Sequence, residues 1–104
     1  MKLLSAMLAV LLAGLWLPNV AAVESATARG ADLAHACAAC HGPDGRSQGA
    51  IPSIDQLPAE DFMAALKAFR ADARQGTVMN RIAKGVDEAE ISAVAAYFAA
   101  RQGQ

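Results

Sequence analysis

Three observations predict an all-α fold for this 104-residue chain. Apolar residues recur at i, i+3, i+4 and i+7 in two separate segments, Phe62-Ala65-Leu66-Phe69 and Ile91-Val94-Ala95-Phe98, which is the spacing of one helix face. No stretch alternates apolar and polar residues as a half-buried strand would. Glycine and proline gather between the helical segments, from Gly42 to Leu57, where they mark a loop. About four helices are expected, with no internal repeat.

The chain begins with Met1-Lys2, a short positive start, and continues almost wholly apolar from Leu3 to Leu17, broken by Ser5 and Gly14. Pro18 and Asn19 follow, and Val20-Ala21-Ala22 offers the small residues that a signal peptidase cuts behind. Residues 1–22 are read as a signal peptide cleaved after Ala22, and residues 23–104 as the mature domain. A retained anchor is the rival reading, but the apolar run of about 15 residues falls short of the ~20 that cross a bilayer. Export places the mature protein in the periplasm, with no membrane span.

The 82 residues that remain are enough for one small domain. A chain of that size buries a modest core and gains much from a staple. Without Lys2 it carries eight Lys/Arg against ten Asp/Glu, a formal charge of −2. No basic patch points to nucleic acid.

The first helix is expected from Thr27 to Ala39, where Ala28, Arg29, Ala31, Leu33, Ala34 and Ala36 are strong helix formers. Gly30 in its interior costs about 1 kcal/mol against alanine, which marks a close approach by another backbone. This helix delivers Cys37-Ala38-Ala39-Cys40-His41. C-x-x-C-H is the spacing of covalent haem attachment: two thiols a turn apart bond the porphyrin's vinyl groups, and the following imidazole ligates the iron.

Other chemistries fit the pair less well. A zinc site needs four well-spread ligands, and only His35 or a carboxylate could join Cys37, Cys40 and His41. A redox C-x-x-C sits at a strand-to-helix junction, and no strand pattern precedes Cys37. A disulfide would close a very small loop and leave His41 without a role. One covalently bound haem c is therefore the expected cofactor, its flat apolar body forming the centre of the core.

The loop from Gly42 to Leu57 can pass round the edge of such a cofactor, with Ile51, Ile54 and Leu57 as its apolar contacts. Pro58 is expected at N1 of a second helix, with Glu60 and Asp61 at the favourable end of the dipole and an end near Arg74 to Gly76. A short segment, Thr77 to Lys84, carries Met79 and Ile82 and is closed by Gly85. The last helix starts behind Asp87 as N-cap, with Glu90 completing a capping-box variant. Arg101 lies in its last turn, and Gly103 ends it.

Haem iron has two axial positions, and His41 fills one. His35, Met63 and Met79 are the candidates for the other. His35 precedes the motif on the same helix, where it cannot easily reach the opposite face, and reads as a surface residue beside Asp32. Met63 neighbours Phe62 and reads as a flexible core filler. Met79, 38 residues after His41, has chain enough to approach from the far side. With His and Met ligands the iron has no open position for substrate, and the thioether favours the ferrous state, so the site moves single electrons. No catalytic residue is expected, and the protein by itself is not an enzyme.

Cys-Ala-Ala-Cys-His-Gly, the Gly-rich loop with Pro52, the late methionine and a last helix bearing Tyr97-Phe98 resemble a class I cytochrome c over nearly the whole mature chain. Gly49-Ala50-Ile51-Pro52-Ser53-Ile54, Leu66-Lys67-Ala68-Phe69-Arg70 and Val78-Met79-Asn80-Arg81-Ile82-Ala83-Lys84-Gly85 are most similar to the cytochrome subunits of flavocytochrome c sulfide dehydrogenases. Cytochromes c4 and c553 often carry Met-Pro where this chain has Met79-Asn80.

The resemblance implies that Gly30 and Tyr97 meet where the first and last helices cross. It implies that the Pro52 carbonyl takes the second ring nitrogen of His41. Cys37, Cys40, Pro52, Ile54, Phe62 and Ile82 become the expected haem-binding residues, and His41 and Met79 the iron ligands. The implied partners are a flavoprotein (FAD) subunit that oxidises sulfide and a soluble redox acceptor. The alternative is a free monohaem carrier between respiratory or photosynthetic complexes. A non-haem structural module would follow only if attachment failed.

Overall fold

A computed structural model describes residues 19–104. The expected leader lies almost entirely outside these described residues; only Asn19 to Ala22, at its end, fall within them. Among the described residues the order is α1 (Val20–His41), a 3-10 turn (Pro43–Gly45), α2 (Ala59–Arg70), α3 (Met79–Lys84) and α4 (Glu88–Ala99), with no strand.

α1 begins seven residues before the expected Thr27 and runs through His41. Its first turns are exposed, so local propensity rather than packing carries them, helped by Ala21, Ala22 and Ala26. The Thr27 hydroxyl donates back to the Val23 carbonyl at 3.0 Å, a bond that an exposed helical threonine can make within its own helix. Gly42 ends the helix at φ 93°, and a Cβ there would lie 2.0 Å from the Arg46 carbonyl oxygen. Only glycine fits that reversal.

α2 starts one residue later than expected. Pro58, at ψ 142°, is the N-cap rather than the first helical residue, and its carbonyl accepts from the Phe62 N–H at 3.0 Å. The helix also stops at Arg70, ahead of the expected Arg74 to Gly76. The Ala73 N–H bonds the Ala68 carbonyl at 2.9 Å and the Asp72 N–H bonds that of Phe69 at 3.2 Å. This is a Schellman closure with Asp72, at φ 56°, in the left-handed position that glycine more often takes.

α3 is closed at Gly85 as expected, with its N–H on the Ile82 carbonyl at 3.0 Å. At α4 the capping box is complete: Glu90 N–H to Asp87 Oδ1 is 2.9 Å, and Asp87 N–H to Glu90 Oε2 is 3.0 Å. α4 ends at Ala99 rather than at Gly103, and a turn over Arg101 to Gly103 follows.

α1 crosses α4, α2 packs on α3 and α4, and the 3-10 turn packs against α1. The core cluster is Ala34, Phe62, Val94, Ala95 and Phe98, so both expected stripes contribute. All four residues of the α4 stripe are buried, whereas in α2 only Phe62 is, with Ala65, Leu66 and Phe69 half-buried. The close approach that Gly30 implied exists, but its neighbour is Ala93. A Cβ on Gly30 would lie 2.5 Å from the Ala93 carbonyl oxygen. Tyr97, one turn further along α4, packs edge-on against His35, with ring centroids 6.0 Å apart.

Candidate haem site

The last turn of α1 presents Cys37, Cys40 and His41 together. Cys37 is half-buried against the core cluster, and Cys40 is exposed. Burial pushes the Cys37 thiol up from its ordinary pKa. Both cysteines also sit at the negative end of the helix dipole, which disfavours a thiolate. A redox-active C-x-x-C needs the opposite environment, so the structure speaks against that chemistry.

His41 Nδ1 lies 2.6 Å from the Pro52 carbonyl oxygen, across the loop that Gly42 reverses. A carbonyl only accepts, so Nδ1 carries the proton and Nε2 keeps its lone pair. The imidazole is thus fixed in one tautomer with the other nitrogen available to a metal. That contact, implied by the sequence resemblance, is present in the geometry.

The loop carrying Pro52 is itself anchored. The Ile54 N–H donates to the Gly45 carbonyl at 2.8 Å, and Ser53 Oγ accepts the Ser47 N–H at 2.9 Å. Arg46 Nε donates to Asp55 Oδ2 at 2.7 Å, and its Nη2 reaches the Gln104 carbonyl at 3.0 Å. The Arg46 guanidinium holds the Asp55 carboxyl below the usual carboxylate range. Asp55 is the single buried charged residue among those described.

The remaining candidates fall into separate settings. Phe62 is buried in the core, its ring centroid 5.7 Å from that of Phe98. Ile54 and Met63 are partly buried against the same cluster. Ile82 is 48% exposed, as are its neighbour Val78 at 58% and Ile51 at 44%. Met79, the first residue of α3, is half-buried and stands outside the core cluster that engages Met63. His35 is exposed except for its contact with Tyr97.

The residues present fit a covalently held haem. Two thiols one turn apart, an imidazole with its acceptor nitrogen available, and apolar side chains exposed beside Pro52 and Met79 are the donor set and surface such a group needs. Sequence reasoning missed the polar knot around Asn80, whose amide oxygen accepts the Gly76 N–H at 2.8 Å and whose Nδ2 lies 2.7 Å from the Arg74 carbonyl. An asparagine directly behind the candidate methionine was the available signal. Among the described residues, no helix is long and apolar enough to cross a membrane.

Comparison with known proteins agrees with this geometry. The family model for cytochrome c matches residues 27–101. The chain is 46% identical over 70 residues to the cytochrome subunit of sulfide dehydrogenase from Chlorobaculum tepidum, a match spanning 67% of this chain and 64% of that protein. It is 32% identical to cytochrome c-554(548) from Halomonas halodenitrificans, over 72% of this chain and 95% of that one. It is also 39% identical to the thiosulfate dehydrogenase electron acceptor of Stutzerimonas stutzeri, over 61% of this chain and 31% of that one. The chain belongs to the cytochrome c family and is an electron-transfer protein with one covalently bound haem c, Cys37 and Cys40 standing at its attachment positions.

Proposed function

We propose that this protein is a periplasmic cytochrome that takes electrons from the flavoprotein (FAD) subunit of a sulfide dehydrogenase and passes them to a soluble acceptor. The observation that carries the electron-transfer site is the His41–Pro52 contact, which leaves Nε2 ready beside two attachment thiols. The likeness to the cytochrome subunit of sulfide dehydrogenase supports the flavoprotein partner. The apolar leader ending at Ala22 supports export.

Haem c, when bound, supplies a one-electron iron couple. Cys37 and Cys40 hold it by thioether bonds, and His41 offers Nε2 to the metal. Pro52 keeps the proton on Nδ1 and strengthens the imidazole as a donor. Met79 is the proposed second residue that would hold the iron, where its soft thioether would favour the reduced state. Ile54, Phe62 and Ile82 are proposed as apolar contacts of the ring.

A second reading is a free monohaem carrier. It is favoured by the match to cytochrome c-554(548), which extends over 95% of that protein. Purification from the native periplasm with a visible spectrum separates the two. An α-band on reduction with flavin in the same fraction supports the subunit, and haem without flavin supports the carrier. Absence of an α-band would sink both. Replacing Met79 by alanine should abolish the weak methionine-to-ferric-iron band at the red end of the spectrum. Its persistence would move the ligand to Met63.

A further inference from the structure

The helix that Met79 opens cannot hold it in place. α3 is six residues long, and its N-cap, Val78, makes no side-chain capping bond. A single helix of that length is unstable by itself. The segment before it, residues 71–78, is exposed throughout.

What ties this region down is the side chain next to Met79. Asn80 is half-buried, and its amide oxygen accepts the Gly76 N–H at 2.8 Å. Its Nδ2 faces the Arg74 carbonyl at 2.7 Å, the Phe69 carbonyl at 3.1 Å and Asp72 Oδ1 at 3.2 Å. Two hydrogens serve three acceptors, so the amide spans the whole turn that closes α2. Asp72 completes the arrangement by accepting from Lys84 Nζ at 2.7 Å through its other oxygen. Both ends of α3 are thereby fastened to the turn after α2. Gly76, whose N–H Asn80 holds, lies against Met79: a Cβ on the glycine would be 3.4 Å from the Met79 Cβ.

We propose that Asn80 is a positioning residue for Met79, its amide latching the residue 69–76 turn to the start of α3 and setting how often Met79 leaves the iron. The inference rests on Met79 as the axial ligand and goes beyond it. When a ligand site is open for only a fraction of the time, an added ligand binds with an apparent affinity reduced by that fraction. Asn80 therefore controls the affinity of the ferric haem protein for competitors of methionine.

Imidazole is the probe, titrated into the haem-loaded ferric protein. Asn80→Ala loses every bond of the latch and should bind imidazole at least about tenfold more tightly, with a weakened red band. Gln75→Ala removes only a bond within the loop, Nε2 to the Asp72 carbonyl, and should leave both readings unchanged. Unaltered imidazole affinity in Asn80→Ala would overturn the latch. Met79→Ala, measured alongside, keeps the two ideas apart. If it abolishes the red band while Asn80→Ala matches the unsubstituted protein, the latch fails and the ligand stands. If the band survives in Met79→Ala, the ligand assignment fails and the latch with it. Should Asn80→Ala fail to mature, hydrogen exchange decides: the Gly76 N–H, though on an exposed residue, must be protected in the unsubstituted haem protein, and exchange at the unprotected rate overturns the proposal.

Discussion

At the scale of single residues, Cys37, Cys40 and His41 owe their roles to chemistry that no neighbour could replace. Thioether attachment needs both sulfurs, so Cys37→Ala with Cys40→Ala should leave any bound haem extractable into acidified acetone, whereas the parent protein keeps its colour in the precipitate. Arg46 acts through charge. Its guanidinium lowers the folded-state pKa of Asp55, followed in weight by the opposing cost of burial and the help of Gln56. A lowered carboxylate pKa contributes stability that is present above the unfolded value, near 3.8, and is lost as pH falls through the folded one. Arg46→Ala should therefore be less stable than the parent at neutral pH, with the gap narrowing below about pH 4, as denaturant melts across that range would read. The mid-chain Lys67, Arg70 and Glu88 group is different in kind. Glu88 is held below the ordinary range chiefly by Lys67 and then by Arg70, but Lys67 and Glu88 are exposed and Arg70 is only half-buried, and ion pairs in such settings contribute little.

At the scale of elements, the α1–α4 crossing and the start of α4 are the points where one atom matters most. Gly30→Ala would gain helix propensity yet place a methyl 2.5 Å from the Ala93 carbonyl oxygen. Backbone cannot give way cheaply, so overpacking at about 1–3 kcal/mol outweighs a propensity gain of at most about 1. A lowered denaturant midpoint with an unchanged slope is the expected result. Asp87→Ala removes the cap of α4 and should cost about 0.5–2 kcal/mol. Glu90 does two jobs there, receiving the Asp87 N–H and pairing with Arg29 of α1. A double-mutant cycle of Glu90→Ala with Arg29→Ala should show weak coupling across the helix crossing, of the size that solvent-facing ion pairs give. The element boundaries that differ from sequence expectation have local causes. α2 ends early because Asp72 adopts a left-handed backbone, a choice the residues Ala71 to Gln75 do not advertise as a glycine would.

For the whole molecule, the chain's own apolar core is small. Among the described residues the buried hydrophobic side chains are Ala34, Phe62, Ala83, Ile91, Val94, Ala95 and Phe98, and three of these are alanines. A domain so built depends on a covalently held apolar partner. Protein made without haem should melt at least about 10 °C below the haem-loaded form, by circular dichroism, because a group bound only to the folded chain shifts the unfolding equilibrium.

What the sequence determined by itself is what short spacing encodes: C-x-x-C-H, the α4 stripe, the Asp87–Glu90 capping box and the all-α class. These depend on residues within a turn or two of one another, where periodicity and local bonding fix the outcome. Tertiary structure alone decided the rest. It set Ala93 against Gly30, paired Phe62 with Phe98 in the core, and folded the Asn80 amide over the turn after α2. Each of those contacts joins parts of the chain whose meeting is set by packing geometry and loop path, which no local pattern records.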